Sequence, residues 1–440
     1  MHDSPLAVVA ELILLLSVIL VAAKVGGEIS ERYLKIPPVL GELCAGILIS
    51  PFLLGGIHWF GGGAIFELPV GTGDGLPVEP QLFFVAQLAA IVLLFEAGLE
   101  TDRDKFMKYV RPATIVASGG VILPFLMGFG ATVLLGFADM GSIEGMVPAL
   151  FVGAIMTATS VGITARVLAD IRRLDSPEGV TVLAAAVVDD VLGIIVLAIV
   201  IGIAEEGTVT AGAIGIIFLK AVGFWLGLMV LGSLVSKYIS SGVLWFKSAG
   251  GALVLALALA FIASAVAEIY FGLAMIIGAY TMGLALSGTE LKHQVEDSMR
   301  AVNNFLVPIF FVVIGMQVDF TAFGAGDTSL ASAIIFAVVL SIFAVISKAV
   351  GAGIPAYFVG FNRIGATRVA LGMLPRGEVA LIVAGIGLAS GVIGQDIFGV
   401  AIVMTVFTTV LAPVFLIPAF KGGSGLKTGA ENENETEIGE

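Results

Sequence analysis

Two adjacent acids, Asp189 and Asp190, sit in the run "VVDDVLGIIVLAIV" from Val187 to Val200, which is otherwise fit for lipid. A carboxylate at the centre of a membrane helix costs about 2.5–3.5 kcal/mol on insertion scales, so an acid kept there is read first as functional. The chemistry open to it is narrow. A carboxylate joined by hydroxyls and freed backbone carbonyls makes a hard oxygen site for Na⁺, Li⁺ or K⁺, and the same carboxylate also takes a proton. Neighbouring helical positions point about 100° apart, so the two acids face different partners. Asp190 is expected to look into a cavity between broken helices and Asp189 toward another helix.

The remaining polar groups fall in three apolar runs. "MTATSVGITAR" carries Thr157, Thr159 and Ser160, "ISKAVG" carries Lys348, and "GMLPRGEVALIV" carries Pro375, Arg376, Gly377 and Glu378. Lys348 is the natural counterion for Asp189, since a buried ammonium and a buried carboxylate neutralise each other only when paired. Pro removes a backbone donor and clashes with the preceding turn, while Gly and hydroxyl residues tolerate unwound backbone. The two polar stretches therefore predict two interrupted helices. At such ends Glu378 can compensate positive partial charge, and Arg376 can anchor the inner mouth or pair with an acid.

These residues need a membrane to sit in. The chain has 440 residues, 58% hydrophobic and 12% charged. Soluble domains carry about 25% charged residues, so this chain cannot cover a water-facing surface. Apolar runs of about 20 residues separated by polar breaks point to helical spans, because barrel strands alternate with period two. The class is an all-α polytopic membrane protein. A net charge of −13 argues against a nucleic-acid partner. His2, His58 and His293 are too few and too scattered for a metal cluster, and Cys44 is the only cysteine. The first apolar run lacks a basic lead and reads as a true span, not a signal peptide.

About thirteen spans are predicted, at 6–23, 38–56, 81–99, 112–136, 147–165, 179–203, 211–236, 249–268, 271–288, 301–318, 329–358, 367–390 and 396–419. Eighteen of the 21 Lys and Arg lie after odd-numbered spans, and the even-numbered gaps, including the Gly-rich stretch 53–81, hold none. Basic residues collect in cytoplasmic loops, so the N-terminus is expected outside and the C-terminus inside. The other three are Lys220, Lys348 and Arg376. Lys220 reads as a snorkelling side chain or a partner in a protein-facing seam.

Spans 1–6 then begin outside and spans 8–13 inside. This gives a first repeat (1–203), a linker helix (204–245), an inverted second repeat (246–419) and an acidic, disordered cytoplasmic tail (420–440). The two interrupted helices, the fifth and twelfth spans, occupy corresponding places in the halves. Asp189 and Asp190 lie about 15–17 Å along the sixth span, at the midplane of a ~30 Å hydrocarbon core.

At this point the chain resembles a known family. "IPPVLGELCAGILISP", "LLFEAGLETD", "ATSVGITARVL", "AAVVDDVLG", "IFFVVIGMQVDF" and "LPRGEVALIV" are similar, in order over residues 36–384, to the second family of monovalent cation/proton antiporters. That family includes NapA-like Na⁺/H⁺ antiporters and Kef-type K⁺ efflux systems. The resemblance implies an NhaA/NapA-like fold of thirteen helices in two inverted six-helix repeats, with crossed, discontinuous fifth and twelfth helices. It implies a core of spans 4–6 and 11–13 moving as an elevator against a dimerisation domain of spans 1–3 and 8–10, in a homodimer. It implies Na⁺ at Asp190, Asp189 and Thr159, with Lys348 as the salt-bridge and proton-coupling partner of Asp189. Thr157, Ser160, Arg376 and Glu378 then support the helix breaks.

The activity so implied is secondary exchange of Na⁺, Li⁺ or K⁺ for protons in the cell membrane, electrogenic and serving sodium and pH homeostasis. No cofactor and no enzymatic step is implied. Kef-type members carry Gln-Asp at the pair, so Asp-Asp points away from glutathione-gated K⁺ efflux, although K⁺/H⁺ exchange stays open. Pro375 and Arg376 sit where many members vary, which leaves the selectivity of the inner mouth open.

Three rivals are weighed against this reading. A sodium-coupled organic solute symporter needs a wider polar cavity. An intramembrane aspartyl protease finds a GxGD match at Gly71–Asp74, but in a loop, and it needs its two acids to share one proton. A passive channel fits poorly with charges locked to Lys348.

Overall fold

In hydrocarbon each backbone N–H and C=O must find a partner within its own segment, so long apolar runs fold as helices. The computed structural model describes residues 5–34, 37–57, 64–66, 68, 78–206, 211–246, 248, 250–319 and 329–427. Among these, ten helices are long and apolar enough to cross a membrane, and Pro38–Leu48, Met275–Leu286 and Val379–Leu388 are shorter apolar ones. The all-helical, polytopic expectation holds.

The chain opens with α1 (Pro5–Ile29), a π-turn (Ser30–Leu34), α2 (Pro38–Leu48), α3 (Pro80–Glu100) and α4 (Arg103–Leu134). Then come α5 (Ile143–Thr157), α6 (Val161–Asp170), α7 (Pro177–Glu206), α8 (Ala211–Leu244) and α9 (Gly251–Phe271). The order closes with α10 (Met275–Leu286), α11 (Glu290–Met316), α12 (Leu330–Phe358), α13 (Arg363–Gly372), α14 (Glu378–Ala389) and α15 (Gln395–Ala419).

Several bounds differ from those predicted. Helix α4 starts at Arg103 and α11 at Glu290, not at 112 and 301. An apolar run marks where a helix meets lipid, whereas its hydrogen-bond ladder continues through charged turns such as that of Glu290, Lys292 and Glu296. In the opposite sense α2 stops at Leu48, not at 56, because Ser50 and Pro51 turn the chain. The site depends most on the two predicted interruptions. Helix stops at Thr157 and resumes at Val161, then stops at Gly372 and resumes at Glu378.

Packing sorts the helices into two groups. Helices α1, α2, α3, α9, α10 and α11 contact one another, and α4 packs against α5, α7 and α12, with α13 and α15 on α12. Small residues let backbones close on each other within each group. Gly98 on α3 and Gly283 on α10 each touch the other helix's backbone, so a Cβ at either would strike a carbonyl of Tyr280 or Phe95. Gly119 on α4 and Gly351 on α12 repeat the device.

The tail expected to be disordered from residue 420 needs correction at its start. Asn362 Nδ2 donates to the carbonyls of Ser424 (2.7 Å) and Leu426 (2.9 Å), and Phe361 bridges Leu426. Arg368, predicted as a loop cation, is buried. Its Nη1 reaches Glu178 Oε1 at 2.6 Å, its Nε donates to Ala419 O at 2.9 Å, and its Nη2 donates to Gly422 O and Gly423 O. A buried guanidinium with unfilled donors is costly, so the carbonyls of 419–423 fold back to fill them. Residues 428–440 and the Gly71–Asp74 match lie outside the described residues. Lys220 is exposed on α8.

Candidate functional site

The two interruptions touch. A helix that stops mid-membrane exposes N–H groups at one end and carbonyls at the other, and each needs a partner. Ser160 N donates to Pro375 O at 2.8 Å, joining the first break to the second. Thr164 Oγ1 donates to Gly372 O at 2.6 Å, and Thr409 Oγ1 donates to Arg376 O. Glycine is needed at 377, because a Cβ there would stand 2.8 Å from Ser160 Oγ.

The carbonyl end of α5 meets two buried cations. Arg376 donates to Met156 O through Nε (3.2 Å) and Nη2 (2.9 Å), and Lys348 Nζ donates to Thr157 O at 2.9 Å. That end carries about half a negative charge, so cations beside it are stabilised. Lys348 Nζ also reaches Asp189 Oδ1 at 3.2 Å, and the pair is buried on both sides. Arg376 therefore lies in the crossing, fully buried, and not at a mouth.

Asp189 and Asp190, 2% and 5% exposed, border one cavity of about 60 Å³ with Thr157, Ala158, Gly193 and Val379. The two acids are expected to face different partners. Asp189 does pair with Lys348, yet its carboxylate still edges the cavity that Asp190 faces. The Thr159 hydroxyl lies beside Asp189. Neither Thr159 Oγ1 nor Asp189 Oδ2 makes a hydrogen bond of full geometry, although both are buried. The Thr159 hydroxyl can donate to Asp189, and the lone pairs left on both oxygens suit an oxygen-seeking cation. Thr157 turns its hydroxyl back to Ala154 O at 2.8 Å, leaving its carbonyl for Lys348. Ser160 is wholly buried in the crossing and contributes its backbone. Glu378 opens α14, and its side chain lies outside the described residues.

With both acids ionised the formal charges balance, two acids against Lys348 and Arg376, and a monovalent cation that replaces a proton on one acid leaves the charge of the site unchanged. About 60 Å³ holds a cation with a water or two, whereas organic ligands occupy pockets of about 300–1,000 Å³. Among the described residues no cluster of three or more His, Cys, Asp or Glu forms a resident metal site.

A second, wider cavity of about 650 Å³ opens among α3, α6 and α11, lined by Leu93, Glu96, Arg166, Asp170, Arg300 and Asn303, among others. Leu93, which lines this cavity, and Phe310 both pack on α6 at Gly162. A Cβ at Gly162 would stand 3.1 Å from the Phe310 ring and 3.9 Å from Leu93 Cδ2.

Sequence reasoning missed the role of Thr409, which was taken as part of an apolar span. The hydroxyl pair Thr408–Thr409 in "FTTV" was its only signal. It also missed the buried pair of Glu178 with Arg368, whose members lie in regions read as loops.

Comparison with known proteins follows the same line. Residues 15–422 match the family described as sodium/hydrogen exchanger, transmembrane. The high-affinity Na⁺/H⁺ antiporter NhaS3 of Synechocystis is 37% identical over 94% of this chain and 91% of its own length. The Na⁺/H⁺-K⁺ antiporter GerN of Bacillus cereus is 32% identical over 91% and 94%. An Enterococcus hirae Na⁺/H⁺ antiporter is 30% identical over 92% and 97%. The solved structure of the sodium proton antiporter MjNhaP1 from Methanocaldococcus jannaschii superposes with a TM-score of 0.63 at 18% identity, over 93% of this chain and 99% of that one. At that identity the likeness is one of fold.

Proposed function

Because the chain belongs to the sodium/hydrogen exchanger family, we propose that it exchanges a monovalent cation, Na⁺ in the first place, for protons through the cavity at Asp189 and Asp190. One observation carries the reading. Two buried acids, one locked to Lys348 at 3.2 Å, share a small cavity with Thr157, and the Thr159 hydroxyl lies beside Asp189. Asp190, Asp189 and Thr159 would hold the ion, with Lys348 coupling its arrival to a proton. Ser160, Arg376 and Thr157 keep the crossing in shape, and Glu378 is assigned to the same support.

Transport needs the site to face each side in turn. The two packing groups support an elevator, in which the group of α4–α7 and α12–α15 slides against that of α1–α3 and α9–α11. We read residues 1–203 and 246–419 as inverted repeats around the linker helix at 204–245, giving thirteen spans with the N-terminus outside. The same reading makes the chain a homodimer in the cell membrane. If a bound cation displaces one proton from Asp190 and a second from Lys348, each cycle moves net charge.

The test is exchange in proteoliposomes with an internal pH dye, scanned across Li⁺, Na⁺ and K⁺. Proton release driven by Na⁺ is expected, with K⁺ as the competing reading. Since proton and cation share one carboxylate, the apparent KM for cation should rise by up to about tenfold per unit fall in pH, with a steadier maximal rate. A KM flat over two units of pH would assign the two cargoes to separate sites.

A further inference from the structure

The wide cavity holds a feature that the exchange site does not use. Its acids are unequally matched. Asp170 has Arg166 at 3.2 Å, Glu296 has Arg300 at 3.7 Å, and Asp175 has Lys105 at 3.8 Å. Among the described ion pairs Glu96 and Glu100 have none, and the Glu96 carboxylate instead accepts the Nδ2 donor of Asn303. Asn303 is 4% exposed, lines the cavity, and has its Oδ1 buried without a hydrogen bond.

A carboxylate and an unpartnered amide oxygen thus stand together at the cavity wall, two hard oxygen donors within the field of Arg166, Arg300 and Glu100. Leu93, one helical turn before Glu96 on α3, is the residue that closes on Gly162 at the start of α6. The Glu96–Asn303 pair therefore lies one helical turn along α3 from the contact of Leu93 with α6. Divalent ions take six to eight oxygens, with more negative charge, so this set suits a single-charged ion that keeps part of its water.

We propose that Glu96 and Asn303 form a second, shallower monovalent-cation site, which loads the ion from the wide cavity before it passes Leu93 and Phe310 to reach Asp190. The proposal rests on the exchange reading for its purpose, though not for its binding chemistry. A local carboxylate raises the cation concentration at the entrance, so the inner site fills at lower bulk cation. The loading site itself releases its ion readily, since the cavity leaves it hydrated.

The experiment removes the inner site and asks what binding is left. Full-length Asp190→Asn protein in sodium-free choline buffer is titrated with NaCl, and Na⁺ binding is read by calorimetry and by thermal shift. Saturable binding is expected, weaker than in the native protein, and about tenfold weaker again once Glu96→Gln is added. Asn303→Asp in the Asp190→Asn background keeps both oxygen donors and adds charge, so it should tighten binding. This variant guards against a misfolded Glu96→Gln protein. Exchange assays on single variants complete the set. Glu96→Gln and Asn303→Ala should raise the apparent KM from the cavity side about three- to tenfold, with kcat within about twofold.

No saturable binding in Asp190→Asn protein would overturn the proposal, as would binding indifferent to both Glu96→Gln and Asn303→Asp. A fall in kcat with unchanged KM would do the same. Failure of the native protein to exchange ions at all would instead sink the proposed function, and the titration would still read the Glu96 site.

Discussion

The two helix breaks are chemically unlike, although they occupy corresponding places in the chain. At the first, the carbonyls of Met156 and Thr157 receive charged donors, Arg376 and Lys348. At the second, the carbonyls of Gly372, Pro375 and Arg376 receive neutral ones, the Thr164 hydroxyl, the Ser160 amide and the Thr409 hydroxyl, beside a long contact of 3.5 Å from Arg376 Nη1 to Leu374 O. The first break gathers ionisable groups and lies against the acids. The second is closed by hydrogen bonds of ordinary strength. One break is therefore an electrostatic device and the other a mechanical joint. A net hydrogen bond between neutral groups contributes about 0.5–1.5 kcal/mol, whereas breaking a buried ion pair costs about 3–5 kcal/mol.

Substitutions can break or sharpen that contrast. The largest effect is expected for Asp190→Asn, which removes the carboxylate that faces the first break. Cation-driven proton release should fall at least about a hundredfold, at every pH, in the dye assay. Exchange near the native rate would take Asp190 out of the mechanism.

Lys348→Gln comes next. It leaves Asp189 without its cation and the α5 end with one donor fewer, a loss of about 3–5 kcal/mol visible as a lower unfolding temperature. Some exchange should survive, but without its response to an imposed membrane potential in valinomycin-clamped liposomes. A variant as voltage-sensitive as the native protein would make Lys348 a structural counterion and put the second proton on Asp189.

Arg376→Lys should fall below that. The ammonium keeps the charge but loses the fork that holds Met156 O twice, for about 1–3 kcal/mol of stability. Melting curves and initial rates on one preparation would measure it.

Thr409→Val should matter least, at about 1 kcal/mol with exchange within about threefold, because it removes one neutral donor at the second break. If Thr409→Val proved as damaging as Lys348→Gln, the two breaks would be equivalent and the contrast wrong.

Much of this arrangement was legible in the sequence, for a physical reason. Polar groups in lipid are costly enough to stand out, so Asp189, Asp190, Lys348 and the stretches around Thr159 and Arg376 announce themselves. The breaks could be placed within a residue or two, since Pro375, Gly377 and the hydroxyl cluster tolerate lost helical bonds. What stayed hidden was direction. Nothing in the run of residues says that Arg376 turns inward onto Met156 O, because that depends on how two distant helices cross. Nor does it say that Thr157 bonds its own helix while Thr159 turns to Asp189. Helix ends such as those of α4 and α11 were hidden too, since charged turns carry no apolar signal. The segment 420–427 looked like a polar tail because the donors that hold it, Asn362 and Arg368, lie some 60 residues away.

That segment offers a ruler. Residues 422–427 are tied to the start of α7 through Glu178, to α13 through Arg368 and to the end of α15 through Ala419. A spin label or fluorophore set on this ledge would ride with those helices as one piece. Paired with a second label at the exposed start of α11, it would report as a distance whether one half of the molecule moves past the other, without touching a residue proposed to meet the ion.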